Sequence, residues 1–174
     1  VKELYDRRRT RKRKLLAEGT LDLHVDCVYP GFDDRGCWGW GKGPRIVPRG
    51  RGEIYTYTWR QAVIDDVPIV QIATWNDWFE GTIVEPSAED GTRYLDITRT
   101  YAAKFKNAQP TKADLRLPIW IYRLRKTTRD KESLQAVAKA CELIRTGRFR
   151  DAESLIKPLA AKLKIDAAKH WRTP

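Results

Sequence analysis

Two carboxylates, Asp77 and Glu80, lie three residues apart, directly after an apolar stretch at residues 67–74. Side chains at i and i+3 of a single tight turn project to the same side. Two carboxyl groups that face one cavity can adopt different protonation states, because mutual repulsion and burial move their pKa values apart. One group can then donate a proton while the other acts as a base. Hydrolysis of a glycosidic bond needs such a pair.

Aromatic and polar residues surround this pair in the sequence. Trp75, Trp78 and Phe79 can provide a dry wall and a surface on which a sugar ring stacks. Asn76 can hydrogen-bond a substrate hydroxyl or orient a carboxylate, and Glu85 supplies a third acid. Taken singly, either member of the pair is typical of a turn or of a surface ion pair. The combination with the aromatic residues favours a site, and these residues become its candidate substrate-binding groups.

The stretch before the two acids predicts a buried strand. Residues 67–74 are nearly all apolar and rich in β-branched side chains. Such a run is typical of a strand that is buried on both faces, as in parallel sheets. In α/β barrels the carboxyl ends of the strands carry the reaction site. The position of the acids just after this stretch is therefore the main functional indication in the sequence.

The neighbouring segments predict two β-α units. Residues 21–29 alternate between apolar and polar side chains, which is typical of a strand. Residues 53–65 and 91–106 show apolar side chains at helical spacing. Together with the strand at 67–74, this order indicates a parallel sheet with crossover helices, and so an α/β fold.

A long loop rich in Gly, Pro and Arg separates the first strand from the first helix. Long loops within compact domains are uncommon and often functional. The loop region offers the carboxylates, flat rings and guanidinium group that sugar sites use: Asp33, Asp34, Trp38, Trp40 and Arg45. For the stretch at 49–52, a tolerated, disordered insertion is an equal alternative.

The amino-terminal region carries two patterns with both a functional and a structural interpretation. Residues 2–18 predict a helix that Gly19 ends, and its run RRRTRKRK resembles a nucleic-acid or localisation patch. We favour a solvated helix face. His24 and Asp26 have a spacing that a metal site can use. We favour a hydrogen-bonded pair there and predict no metal.

The carboxyl-terminal part predicts helices. Residues 131–145 and 150–164 form two helical patterns joined by a short turn, which resembles one tetratricopeptide unit. Because one unit cannot form a solenoid, we interpret it as a helical appendage. Residues 115–124 are apolar but contain Pro118, and they predict an edge strand or a cover piece.

Composition limits the classes of partner. The net charge of +11 is uneven, because residues 20–103 carry −5 and both ends are basic. An acidic central segment argues against nucleic acid as the ligand of the candidate site. No apolar segment approaches the roughly 20 residues of a membrane helix. No signal peptide opens the chain, which leaves the compartment open, an extracellular or periplasmic one included, and the oligomeric state is equally open.

The three cysteines predict neither a disulfide framework nor a zinc site, because their number is odd and no CxxC spacing occurs. A single bridge between Cys27 and Cys37 stays open as an alternative.

The segment TWNDWFEGTIVEPS resembles the signature of glycoside hydrolase family 99 and its relatives, whose usual form is NEWxEGTxIEP. These relatives include endo-α-mannosidases and WbsX-like proteins of polysaccharide clusters. PGFDD and GEIYTYTWRQAV are similar to further segments of that family, so the resemblance covers about residues 20–105. Tyr55, in the second of these segments, joins the candidate substrate-binding residues.

The resemblance implies roles for the two acids. Glu80 matches the residue that acts as general acid and then as base, and Asp77 matches the one that deprotonates the 2-hydroxyl of the sugar, with net retention. That family has Glu where this chain has Asp77. An Asp there resembles family 71, the inverting α-1,3-glucanases, with the motif WNDYGES. Retention or inversion, and mannan or glucan, therefore stay open, and no cofactor or metal is implied.

The resemblance also implies a (β/α)₈ barrel. Residues 1–110 would be its carboxyl-terminal part with the last two β-α units, and residues 111–174 a helical extension. Since such a barrel needs about 250 residues, we expect the first six strands to lie outside this chain and this piece alone to be inactive. The expected function is glycoside hydrolysis of an α-linked polysaccharide or glycan. Two alternatives are a non-catalytic glycan-binding or biosynthesis-associated protein of the same family and a nucleic-acid-binding module.

Overall fold

The computed structural model describes residues 2–37 and 45–165. Within them the chain forms helices and a small parallel sheet, so its class is α/β. It divides into unit 1, Val1–Pro86 with Arg93–Pro110, and unit 2, Ser87–Thr92 with Thr111–Pro174. The elements are α1 Lys2–Ala17, β1 Val25–Val28, β2 Phe32–Asp33, β3 Ile46–Val47, α2 Glu53–Ile64, β4 Ile69–Ile72, α3 Arg93–Phe105, α4 Leu117–Thr127, α5 Lys131–Arg145 and α6 Phe149–Lys162.

Unit 1 contains the predicted β-α-β arrangement. β1 and β4 pair in parallel, from Val25 opposite Ile69 to Val28 opposite Ile72. Helix α2 connects them, as a parallel pair requires. The predictions of helices at 53–65 and 91–106 are confirmed by α2 and α3. These helices and strands enclose a core of Val28, Tyr55, Trp59, Ala62, Val67, Val84 and Tyr94.

The burial predicted for the strand at 67–74 is wrong. The strand is limited to Ile69–Ile72, of which Ile69 is 44% exposed and Ile72 36% exposed. Within the strand Val70 packs against the core of unit 1, and Val67, just before the strand, is buried in that core. The physical reason is that, among the described residues, this sheet has two strands, so no further strand or helix covers the remaining surface of β4.

Helix α1 and its end at Gly19 are as predicted. Gly19 has a φ of 68°, and its N–H donates to the carbonyl of Leu16. The prediction that the basic run is a solvated face is wrong for two of its members. The Arg9 side chain is only 12% exposed and binds Asp65, and Lys12 binds the buried carboxylate of Asp26.

The strand predicted at 21–29 is shorter, Val25–Val28, because only these residues pair with β4. Asp26 accepts hydrogen bonds from Lys12 and from the Tyr5 hydroxyl at 3.0 Å. The expected pair of His24 with Asp26 is not formed in the described part of the chain, where the buried Nδ1 of His24 has no partner. Cys27 and Cys37 are free thiols, so the alternative of a bridge between them is not realised.

Residues 111–165 of unit 2 are mainly helical, whereas residues 87–92 form a turn with an antiparallel bridge between Ser87 and Gly91. Of the two alternatives predicted at 115–124, the edge strand is wrong, since α4 occupies Leu117–Thr127. Pro118 lies in the first helical turn, where its missing N–H costs nothing. The helices predicted at 131–145 and 150–164 are confirmed by α5 and α6. Their core is Leu117, Ile121, Leu124, Val137, Ala140, Leu143, Ala152 and Ile156.

Candidate functional site

A closed turn carries the two candidate acids. The Thr74 N–H donates to the Thr82 carbonyl at 2.8 Å, and the Thr82 N–H donates to the Asp77 carbonyl at 3.1 Å. Oδ1 of Asp77 accepts the N–H of Glu80 at 3.0 Å, and the Asp77 N–H donates to Oγ1 of Thr74 at 3.1 Å. The Asp77 side chain therefore closes the turn that presents Glu80. The peptide bond between Ala73 and Thr74, just before this turn, is cis.

The loop after β1 contacts this turn directly. The Asp33 N–H donates to the Glu80 carbonyl at 2.8 Å, and the Cys37 thiol donates to the Phe79 carbonyl at 3.3 Å. Gly81 has a φ of 62°, and a Cβ at this position would lie 3.5 Å from the Cβ of Asp33. The two loops that follow the parallel strands thus meet at the acids, as expected for loops at one edge of a parallel sheet.

Arg49, which is not among the candidate site residues predicted from the sequence, binds the same turn. Its Nη1 donates to the Gly81 carbonyl at 2.7 Å and its Nη2 to the Ile83 carbonyl at 2.9 Å. Its guanidinium carbon lies 4.1 Å from the ring centroid of Tyr94. Gly52 is buried, and a Cβ there would lie 2.6 Å from a methyl group of α3. The alternative of a tolerated, disordered insertion at 49–52 is therefore wrong.

The two aspartates of the loop after β1 bind arginines of this chain. Asp33 accepts the Arg35 Nε at 2.8 Å, and these bonds lower the pKa of Asp33 to about 2. Asp34 is buried and accepts the Arg45 N–H at 2.6 Å and its Nε at 2.9 Å. The backbone N–H of Arg45, above all, lowers the pKa of Asp34. Both carboxylates stay ionised near neutral pH and fix the loop, whereas the Arg45 side chain remains 60% exposed.

The aromatic residues of the turn present their rings to solvent. Trp75 is 54% exposed, Trp78 53% and Phe79 75%. The indole N–H of Trp78 donates to Oε1 of Glu85 at 2.7 Å, which fixes the ring beside the acid pair. Asn76 is exposed on the same turn. This arrangement brings together flat apolar surfaces and polar groups, which is what binding of a sugar requires.

One aromatic residue singled out in the sequence, Tyr55, does not join this surface. Tyr55 is fully buried in the core of unit 1, and its hydroxyl bonds Oγ1 of Thr98 at 2.8 Å. Burial raises the pKa of this phenol. At this position Tyr55 has no access to a substrate and positions α2 against α3. Trp38 and Trp40 lie outside the described residues.

A cavity of about 860 Å³ adjoins the turn within unit 1. Its volume is in the range of small-molecule sites. Glu80 lines it together with Thr74 and Thr82 at one side and residues of α1 and β1 at the other. Asp77 is not among its lining residues. Glu80 therefore lines the cavity, and the Asp77 side chain closes the turn that presents it.

A scan against protein-family models found no match, and neither a search of curated proteins nor a search of solved structures found a significant match. In residues 2–37 and 45–165, no group of three or more His, Cys, Asp or Glu side chains is placed to bind a metal ion. No helix in those ranges is long and apolar enough to cross a membrane.

Proposed function

We propose that the chain carries the acid/base pair of a glycoside hydrolase that acts on an α-linked polysaccharide or glycan. One observation carries the proposal: Asp77 and Glu80 share one closed turn at the carboxyl end of a parallel strand, beside exposed tryptophan rings. Parallel strands present reactive groups at this end in α/β enzymes. The resemblance of the TWNDWFEG segment to family 99 and family 71 hydrolases gives the same assignment from sequence alone.

In this mechanism Glu80 donates a proton to the leaving glycosidic oxygen. Its side chain lines the cavity, so a sugar oxygen can reach it. Asp77 is the base, acting either on the 2-hydroxyl of the sugar or on a water. The first course gives net retention and the second gives inversion. The anomer first released, followed by proton NMR, separates the two.

A non-catalytic glycan-binding protein is the second candidate, and one contact favours it. Oδ1 of Asp77 accepts the N–H of Glu80, so the carboxylate already has a structural role in its own turn. A chain that kept the exposed rings but used Asp77 only for this bond would bind glycan without cleaving it.

The test compares Glu80→Gln and Asp77→Asn in the whole polypeptide in which the chain occurs. Asn at 77 retains an oxygen acceptor for the Glu80 N–H, so the turn persists while the base is lost. Asp22→Asn, which changes an exposed acid of unit 1, is the matched control. We expect both site variants to release reducing ends from α-mannan or α-1,3-glucan at least about 100-fold more slowly, the usual contribution of acid–base catalysis.

Affinity electrophoresis in the same glycans completes the test. Glu80→Gln should retain binding while it loses cleavage. Unchanged cleavage by Glu80→Gln refutes the assignment of the acid. Binding by the wild type without any cleavage favours the second candidate, and the absence of both binding and cleavage overturns the proposal.

We further propose that β1 and β4 are the last two strands of a (β/α)₈ barrel. Three features support this architecture: the parallel order with its crossover helix, the exposed isoleucines of β4, and the cavity between α1 and β1, where a preceding strand would pair. The coding sequence upstream of Val1 tests it. Six further β-α units are expected there, and an isolated chain that melts cooperatively and cleaves polysaccharide would contradict the proposal.

A further inference from the structure

Two threonines of the turn line the same cavity as Glu80, and the proposed mechanism uses neither of them. Thr74 and Thr82 lie at the ends of the turn, and both border the cavity. The Thr82 residue is only 5% exposed. A buried hydroxyl group is costly unless its donor and acceptor capacity finds partners. The partners of these two hydroxyls therefore indicate what Thr82 can bind.

The Thr74 hydroxyl has a defined direction. Its Oγ1 accepts the Asp77 N–H at 3.1 Å. Its single hydrogen has two acceptors in reach, the Thr82 Oγ1 at 2.9 Å and the Thr82 carbonyl at 3.3 Å. Bonds between a hydroxyl and an oxygen usually measure about 2.5–3.0 Å, and this carbonyl already accepts the Thr74 N–H at 2.8 Å. The Thr74 hydroxyl therefore donates to the Thr82 Oγ1.

This direction leaves the hydrogen of the Thr82 hydroxyl for a further acceptor. A hydroxyl group carries one hydrogen and two lone pairs, so Thr82 can accept from Thr74 and still donate. In residues 2–37 and 45–165, the Thr82 hydroxyl forms no hydrogen bond other than the one with Thr74. Closure of the turn explains Thr82 as an acceptor, but it gives the Thr82 hydrogen no partner. The chain of bonds from the Asp77 N–H through Thr74 thus ends in a donor at the cavity.

We propose that the Thr82 hydroxyl donates a hydrogen bond to a hydroxyl oxygen of the sugar bound next to Glu80, and that Thr74 is its positioning residue. This inference rests on the proposed function of unit 1 as a glycan site. The same turn then carries the proton donor, the base and a donor that recognises one sugar hydroxyl. A site that hydrogen-bonds a hydroxyl group discriminates strongly against a ligand that lacks it, so Thr82 would determine specificity.

The test measures binding to α-mannan and to α-1,3-glucan by affinity electrophoresis. It uses the whole polypeptide with Glu80→Gln, so that cleavage does not interfere. Thr82→Val, which keeps the shape of the side chain and removes the hydroxyl, should weaken binding about three- to tenfold. Thr82→Ser keeps the hydroxyl and should restore binding. Thr58→Val is the matched control, because it removes a buried hydroxyl of α2 that does not line the cavity.

Competition with methyl α-mannosides and methyl α-glucosides that each lack one hydroxyl locates the bond. Thr82→Val should not further weaken binding of the one compound that lacks the recognised hydroxyl, and should weaken binding of the others. Thr74→Val should show the same selective loss, and Thr74→Ser should reverse it. An equal loss for every compound overturns the inference, as does an equal loss in Thr58→Val.

Hydrogen exchange at the Glu80 amide separates recognition from a structural role. This N–H donates to Oδ1 of Asp77 and reports on closure of the turn. Thr82→Val should leave its protection unchanged, and a loss of protection together with the loss of binding overturns the inference.

The two proposals fail in different ways. Binding that depends on the Thr82 hydroxyl, in a protein whose wild type never cleaves glycan, supports the inference and counts against the hydrolase. Cleavage by the wild type, with unchanged binding in Thr82→Val, overturns the inference and leaves the hydrolase in place. Absence of binding to either glycan overturns both.

Discussion

Replacement of Arg49 should loosen the turn that presents Glu80. Its guanidinium donates two hydrogen bonds to backbone carbonyls and lies against the Tyr94 ring. A hydrogen bond from a charged donor contributes about 1.5 kcal/mol or more, and a cation–π contact contributes about 0.5–1 kcal/mol. Arg49→Gln should therefore cost about 3–4 kcal/mol. Arg49→Lys should cost about half of that, because an ammonium group cannot reproduce the two-pronged geometry.

Hydrogen exchange in the whole polypeptide measures this effect locally. The amides of Gly81 and Thr82 both bond within the turn, to Trp78 and to Asp77. In the Arg49→Gln variant the free energy of opening at these two amides should fall by the same amount, about 3–4 kcal/mol. Where their opening free energy in the wild type is smaller than this, their protection should be lost completely. Arg60→Gln is the control, because it removes the same charge from an exposed position on α2. Glycan cleavage, where the wild type shows it, should fall with the protection of these amides.

The result that refutes this reasoning is specific. If Arg49→Gln and Arg60→Gln give the same protection at Gly81 within about 0.5 kcal/mol, Arg49 does not stabilise the turn. If Arg49→Lys is as damaging as Arg49→Gln, the positive charge by itself does not stabilise the turn, and the loss comes from the two-pronged geometry or the packing of the guanidinium group.

Two further predictions concern the core of unit 1 and the pH response of unit 2. Val28→Ala should destabilise unit 1 by about 2 kcal/mol, because Val28 is fully buried. Ile72→Thr should destabilise the isolated chain by about 0.5 kcal/mol or less, and should destabilise a polypeptide that completes a barrel clearly more. Denaturant titration of both variants checks this. Hydrogen bonds from Arg116, above all, lower the pKa of Asp114 in the folded protein. The Asp114 carboxylate therefore stabilises unit 2 at a pH above its unfolded pKa of about 4, and this stabilisation is lost as the pH falls through the lowered pKa. Asp114→Asn should therefore reduce stability by about 1–2 kcal/mol at pH 7 and reduce it less at pH 2–3, and an equal loss at both pH values would contradict the assignment.

The sequence predicted the helices of this chain better than its strands. Periodic apolar side chains predict the ends of α2, α3, α5 and α6 to within about three residues. A helix forms the hydrogen bonds of its own backbone and needs only one buried side, so its pattern is local. The strand predicted at 21–29 is limited to Val25–Val28 in the structure, because a strand exists only where a partner supplies hydrogen bonds. In the sequence Pro118 argues against a helix at 115–124, although the first helical turn accepts proline.

Several contacts that the sequence does not reveal join distant segments. Asp26 bonds α1 through Lys12 and Tyr5, and Arg49 bonds carbonyls more than 30 residues away. No local pattern encodes such pairs, since charged residues in a helix or loop are usually solvated. The one usable signal is the pair of glycines that follows Arg49 closely, because Gly50 and Gly52 both adopt a positive φ.

The candidate site and the strand that precedes it depend on different contacts. The turn with Asp77 and Glu80 is fixed by its own hydrogen bonds, by the Asp33 loop and by Arg49, all within unit 1. The apolar surface of β4 is left open beside it. Because the turn does not use that surface, covering β4 with further strands would complete a cleft around acids whose local geometry already exists. Arg49→Gln should then destabilise the turn whether or not further strands cover β4. Ile72→Thr should lower the stability clearly only in a polypeptide in which further strands cover β4.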